Sequence, residues 1–371
     1  MLKRIYIDNF RCLVNFELNV DSINLFLGAN GTGKSTVFEV LQKLQAFIGG
    51  DGKVEKIFKS VDCTRWQTSQ VQRFELEILG NGGCYKYELA VGHNQDQCRV
   101  EYERLWFDRQ PLLKFELGEV QLYRDDHSTG SQYSFDWSQS MIPSLMPRSD
   151  NSKLTWFRER MARLIIVQIM PHLMVNESYQ EENHLSSKME NYVSWYRYLS
   201  QDQGKIAELG TILRDVLDGF TSFKFERVSE QSWVLKLRLA TDTNGSIIEY
   251  RLGELSDGQK TLIALYTLIQ GTKSEDYTLC IDEPENFLAL PEIQPWLIQL
   301  YDLCQEGKLQ SLLISHHPEL INYLLASPIG YWFERQSNTP VRTKLISTDI
   351  AENSGIPVSE LIARGWLNES A

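Results

Sequence analysis

Nine consecutive residues, Gly28-Ala29-Asn30-Gly31-Thr32-Gly33-Lys34-Ser35-Thr36, fit the phosphate-binding pattern G-x-x-x-x-G-K-[S/T]. Glycines at 28, 31 and 33 let the backbone curl until successive N–H groups point at phosphate oxygens. A helix beginning there adds partial positive charge. Asn30, Thr32 and Thr36 complete the loop, Lys34 would reach the β- and γ-phosphates, and the Ser35 hydroxyl would ligate Mg²⁺. The chemistry of this stretch is the binding of a nucleoside triphosphate.

A second constellation lies far downstream. The apolar run Tyr277-Thr278-Leu279-Cys280-Ile281 ends in Asp282-Glu283-Pro284-Glu285-Asn286. Paired carboxylates at a strand end can hold a metal and polarise a water. Asp282 would coordinate Mg²⁺ directly or from one layer further out, and Glu283 would be the general base for water attacking the γ-phosphorus. Another apolar run, Leu312-Leu313-Ile314, ends in Ser315-His316-His317-Pro318. A histidine there could hydrogen-bond the γ-phosphate and sense its presence. His316 is the first choice, with His317 as its rival.

The elements that must position these residues follow from local pattern. Ile23–Leu27 reads as a buried strand entering the glycine loop, and Val37, Val40, Leu41, Leu44 and Phe47 recur at helical spacing after it. Upstream, Leu2, Ile5 and Ile7 mark a first strand and Phe16 and Leu18 a second. Phe74–Ile78 and Tyr85–Leu89, joined by Asn81-Gly82-Gly83, form a hairpin signature. Residues 124–153 are polar and read as a loop or mobile insertion. Helices are expected near 184–200 and 204–218, and strands near 222–227, 233–240 and 247–252. Ser256 then stands as the N-cap of a helix carrying Leu262, Ile263, Leu265, Tyr266 and Ile269. Strands alternating with helices in the last third imply a parallel sheet with helices packed on it.

Composition bounds the rest. The 371 residues are 42% hydrophobic and 23% charged, as in ordinary globular proteins, and no internal repeat or sustained heptad is present. No apolar run approaches the roughly 18–20 residues that a membrane helix needs, and no signal-like stretch opens the chain, so a cytoplasmic protein without a membrane partner is expected. Six scattered cysteines lack metal-ligand spacing. The formal net charge of −12 argues against a basic coat for nucleic acid. Two local patches remain as candidates, Lys153, Arg158, Arg160 and Arg163, and Lys3, Arg4 and Arg11.

The order of motifs resembles the ABC-type ATPase fold in its soluble branch, shared by SMC proteins, RecF and the OLD-family ATPases. Gly28 to Thr36 match its Walker A loop, Leu255-Ser256-Asp257-Gly258-Gln259 its L-S-G-G-Q signature, Leu279 to Glu283 its Walker B strand with the catalytic glutamate, and His316 its switch histidine. The opening Ile7-Asp8-Asn9-Phe10-Arg11 is similar to the first strand of RecF and SMC heads. The likeness covers roughly residues 1–50 and 245–335. Asp257 stands where glycine is usual, Glu285-Asn286-Phe287-Leu288-Ala289 lacks the S-A-L-D form, and the Q-loop glutamine is open among Gln67, Gln70, Gln72 and Gln168.

The resemblance implies an α/β P-loop NTPase with an ABC-type head, a mixed sheet flanked by helices, and a β-rich plus helical insertion between Walker A and signature. Its parts would be residues 1–50, an insertion at 51–245, and residues 246–371. It also implies a homodimer in the ATP-bound state, in which Ser256, Gly258 and Gln259 complete the partner's ATP site in trans. The implied function is an ATP-hydrolysing switch, with ATP and Mg²⁺, acting on a separate effector such as a nuclease, with DNA as a candidate partner, in antiphage defence or DNA repair. About 55 residues follow His316, too few for a Toprim nuclease domain. A transporter's nucleotide-binding subunit and a non-hydrolysing ATP-clamped scaffold are the alternatives; the β-rich insertion disfavours the first and Glu283 the second.

Overall fold

The structure, a computed structural model, describes residues 1–94, 97–241, 246–273, 276–324, 329–337, 339–346 and 356–363. By compactness the chain divides into two units: residues 1–164 with the described residues from 324 on, and residues 165–323. This division follows packing, whereas the boundaries at 50 and 245 follow motifs.

In the first unit, β1 (Leu2–Asp8) and β2 (Phe16–Asn19) pair antiparallel. They continue into β4 (Val71–Gly80), β5 (Gly83–Asn94), β6 (Gln97–Phe107), β7 (Gln110–Glu116), β8 (Glu119–Tyr123) and β9 (Thr129–Ser134), an eight-stranded sheet in the order β2-β1-β4-β5-β6-β7-β8-β9. Leu2, Ile5 and Ile7 are all buried although 2 and 5 differ in parity; a register shift between Leu2 and Arg4 turns one face over. The β4–β5 turn has Asn81 and Gly82 at φ 50° and 81°, the left-handed pair of a two-residue hairpin loop.

Residues 124–153, expected as a loop, instead contribute β9 and a buried anchor. Glu103 on β6 is fully buried and accepts from Tyr87 Oη (2.9 Å), Ser140 Oγ (2.6 Å) and Met141 N (2.9 Å). A buried carboxylate needs such donors, and they draw an otherwise polar segment onto the sheet. Short α2 (Val54–Ile57) and α3 (Ser152–Ala162) pack in the same unit.

The strand β3 (Ile23–Leu27) is buried at every position and enters α1 (Lys34–Gly49) through the glycine loop. Val37, Val40, Leu41, Leu44 and Phe47 form the buried stripe of α1. β17 (Gly330–Glu334), not foreseen from sequence, pairs parallel with β3 and antiparallel with β18 (Arg342–Leu345); α9 (Val358–Ala363) follows.

The second unit holds β10 (Leu164–Gln168), β15 (Thr278–Asp282) and β16 (Gln310–Ile314) in that order, with β15 and β16 parallel. β11 (Glu177–Ser178), β12 (Phe220–Arg227), β13 (Trp233–Ala240) and β14 (Ile247–Arg251) form a separate antiparallel sheet. Its helices are α4 (Tyr192–Leu199), α5 (Gln203–Val216), α6 (Asp257–Thr272), α7 (Leu290–Gln305) and α8 (Pro318–Leu324). From Lys260 to Thr272 every residue of α6 is buried, and Trp296 Nε1 on α7 donates to Leu265 O at 3.0 Å, tying the two helices together. Among the described residues no helix is long and apolar enough to cross a membrane.

Candidate functional site

The phosphate loop belongs to the first unit. Gly28, Gly31 and Gly33 sit at φ 139°, 79° and 95°. A Cβ at Gly28 would lie 2.3 Å from Phe333 O, and one at Gly33 would lie 2.8 Å from Cys12 Sγ, so both positions demand glycine on space as well as on backbone angle. Lys34 opens α1 and is only 5% exposed; its Nζ donates to Gly28 O (2.7 Å) and Ala29 O (3.1 Å). Thr32 Oγ1 closes the loop onto Ala29 O at 2.8 Å. Ala29, Asn30, Gly31 and Ser35 are exposed and Thr36 half-buried. The first turn of α1 contains no acidic residue, so no carboxylate there opposes an anion at the positive end of its dipole.

One cation beside the loop escaped the sequence reading. Arg335, just past β17, donates Nη1 to Gly31 O at 3.2 Å, and its guanidinium lies 5.4 Å from the ring centroid of Trp66. No local pattern announces it, because the parallel β3–β17 pairing alone brings residue 335 to the loop.

The acidic constellation belongs to the second unit. Asp282 and Ile314 are partners in the β15–β16 register, and Glu283 N donates to Ile314 O at 2.9 Å. The turn carrying Glu283 therefore leaves the sheet beside the strand end that leads to His316. Glu283 is half-buried with φ 54°, a left-handed conformation unusual for glutamate. Asn286 N donates to Glu283 O (3.2 Å) and Asn286 Nδ2 to Glu283 Oε2 (2.8 Å). His316 is exposed; His317 is half-buried, with its N–H bonded to Ser315 Oγ.

Ser256 caps α6 as the sequence predicts: its Oγ accepts from Gln259 N (3.2 Å), and Gln259 Oε1 accepts from Ser256 N (3.1 Å). A Cβ at Gly258 would come within 2.8 Å of Phe287 O, so the start of α6 lies against the loop that follows Glu283. The carboxylate of Asp257 pairs with Lys260 Nζ at 3.3 Å, which offsets the charge that a glycine would not bring. Of the four glutamines, Gln67 donates to Asp8 Oδ1, Gln70 adjoins β4, Gln72 is buried against His93, and Gln168 closes β10, the sheet neighbour of β15.

Most cations of the two candidate basic patches are engaged by the protein itself. Lys3 pairs with Asp21, Arg4 with Glu17, Glu75 and Glu77, and Arg11 with Glu39 and Asp62. Lys153 and Arg158 donate to backbone carbonyls, and Arg160 is 1% exposed. The first unit thus offers a cationic cradle of N–H groups, Lys34 and Arg335. The second offers Asp282 and Glu283 at the end of β15, hard oxygen donors of the kind Mg²⁺ takes.

Comparison with known proteins supports this reading. Residues 1–78 match the family model for an AAA ATPase domain. Residues 174–322 match that of an AAA domain described as a putative AbiEii toxin of a Type IV toxin–antitoxin system. The SMC head domain from Thermotoga maritima superposes with a TM-score of 0.50 at 13% identity, over 94% of this chain and 99% of that one. An SMC head bound to the C-winged helix domain of ScpA gives 0.56 at 11% identity, over 94% and 99%. The chain is an ATPase with the fold of an SMC head. A third such head, from Pyrococcus furiosus, carries an extended coiled coil and is bound to the C-terminal domain of ScpA; it matches this ATPase with a TM-score of 0.54 at 9% identity, over 95% and 98%. No curated protein matches the chain.

Proposed function

We propose that this ATPase is a switch subunit whose ATP-bound form is a homodimer and whose hydrolysis releases it. The observation that carries the reading is the turn at Glu283. Its carboxylate is aimed by Asn286, its backbone is fixed to Ile314, and it stands beside the strand end that continues to His316. Glu283 would take the proton of the attacking water while His316 contacts the γ-phosphate. Lys34 and the N–H groups at the start of α1 would hold the triphosphate, with Lys34 exchanging two loop carbonyls for phosphate oxygens. Mg²⁺, held by Ser35 and Asp282, would neutralise charge on the β- and γ-phosphates. Ser256, Gly258 and Gln259 would serve the ATP of the partner copy: the capped N-terminus of α6 is exposed at Ser256 and presents N–H groups to an anion.

Two of the similar SMC heads carry ScpA domains. By that likeness the ATPase acts on a separate protein, and the toxin description of the second family model favours a defence setting with a nucleic-acid-directed effector. The ion-paired cations of the Lys3, Arg4 and Arg11 patch favour contact with DNA through that effector rather than through that surface. Steady-state ATP turnover together with sedimentation of the Glu283→Gln protein, with and without ATP, tests the reading. Turnover by the parent and an ATP-dependent dimer of the variant are expected; a variant that stays monomeric at all ATP concentrations removes the dimeric switch.

A further inference from the structure

We infer that Glu285 is a positioning residue that fixes the strand end carrying His316 to the turn carrying Glu283. The β15–β16 ladder gives its last backbone bond at Glu283 N to Ile314 O, 2.9 Å. Beyond it the two chains need another tie, and one carboxylate oxygen supplies it. Glu285 Oε1 accepts from Ser315 Oγ at 2.6 Å and from His316 N at 3.2 Å. Ser315 Oγ in turn accepts from His317 N at 3.1 Å, so three consecutive residues after β16 hang from a single side chain.

The group is costly to keep there. Glu285 is 8% exposed, Ser315 is fully buried, and Glu285 Oε2 is buried with no hydrogen-bond partner among the described residues. A desolvated carboxylate that accepts two neutral donors on one oxygen is a poor stabiliser, since an uncompensated buried charge opposes folding. Its geometric effect is specific. It sets the backbone of His316 relative to Glu283, two residues that must approach the same reacting phosphoryl group if the proposed mechanism holds. The inference rests on that reading of His316 and adds that Glu285 acts through it.

The test is a double-mutant cycle on kcat and nucleotide Kd with Glu285→Ala, Glu285→Gln, His316→Ala and the Glu285→Ala/His316→Ala pair. Misplacing a reacting group by about 1 Å can cost on the order of 100-fold, so Glu285→Ala should lower kcat by roughly 10- to 100-fold. Its nucleotide Kd should stay unchanged. Glu285→Gln keeps an acceptor oxygen for both donors and should recover most of the rate. The double variant should be no slower than His316→Ala alone, because a group that acts through another adds nothing once the other is gone. Multiplying effects in the double variant, or Glu285→Gln as slow as Glu285→Ala, would overturn the inference while leaving the role of His316 intact. Parental turnover by His316→Ala would instead remove the His316 reading and the inference with it. Should Glu285→Ala fail to fold, Ser315→Ala removes one of the two donors and runs the same cycle with His316→Ala.

Discussion

Asn286 donates its side-chain amide to Oε2 of Glu283 across 2.8 Å, three residues along a turn that its own backbone N–H also closes onto Glu283 O. The bond holds the carboxylate in one orientation while leaving Oε1 unengaged by it. A left-handed φ at Glu283 costs on the order of 1–3 kcal/mol and persists because Ile314, Pro284 and Asn286 leave the turn little alternative.

If Glu283 is the base, as proposed, removing its carboxylate should separate binding from chemistry. Glu283→Gln is expected to bind ATP as the parent does and to hydrolyse it roughly 10²- to 10⁴-fold more slowly. Asn286→Ala, which frees the carboxylate without deleting it, should fall between the two. Single-turnover hydrolysis with radiolabelled ATP measures both; equal rates for Glu283→Gln and the parent would assign the base elsewhere.

Lys34→Ala should abolish nucleotide binding. Its ammonium, bonded here to Gly28 O and Ala29 O, is the charge that the proposed site would bring to the phosphates. Equilibrium dialysis with ATP reads the loss. The loop should survive without it, because Thr32 still closes onto Ala29 and the three glycines keep their positive φ.

Ser256→Arg should bind ATP yet neither dimerise nor turn it over, because a long side chain at the exposed cap of α6 blocks approach of a second nucleotide. Mixing it with Lys34→Ala protein should restore part of the activity, since one composite site then combines an intact loop with an intact cap. Turnover of the equimolar mixture, set against each variant alone over a range of concentrations, decides this; an additive mixture would place the cap's action within one chain.

A fourth prediction concerns stability. Burial raises the pKa of Glu103 above the ordinary glutamate value of 4.5, with the bonds from Ser140, Met141 and Tyr87 opposing the rise. The folded state therefore holds this proton more tightly than the unfolded one. Its stabilising contribution is complete below pH 4.5 and is lost as pH climbs through the raised value. Glu103→Gln should melt at a higher temperature than the parent near neutral pH, with the difference shrinking on acidification. Thermal melts of both proteins at stepped pH provide the measurement.

What could be read from sequence was local. The strand–loop–helix around Lys34, the Asn81-Gly82 hairpin and the capping of α6 by Ser256 each depend on neighbours a few residues away. So does the placement of Asp282 and Glu283 at the end of an apolar strand. What could not be read depends on distant partners. β9 is set by its pairing with β8 and the segment after it by Glu103, β17 is a half-buried aromatic strand defined by β3, and Arg335 reaches Gly31 only through that pairing. Glu285 stood in plain view two residues beyond Glu283, yet its bonds to Ser315 and His316 exist only once β15 and β16 lie in register.

The parallel pairing of Leu25 with Gly330 carries a consequence for biosynthesis. The carbonyl of Phe333 fills the space a side chain at Gly28 would need, so the wall of the loop is translated about 300 residues after its floor. At roughly 5–20 residues per second, the ribosome leaves β3 exposed and unmatched on that side for about 15–60 s. A nascent chain in that interval carries a finished glycine loop without the strand that braces it. Capture of ATP should then be among the last events of its maturation, and the bare apolar strand is where a holding chaperone would be needed.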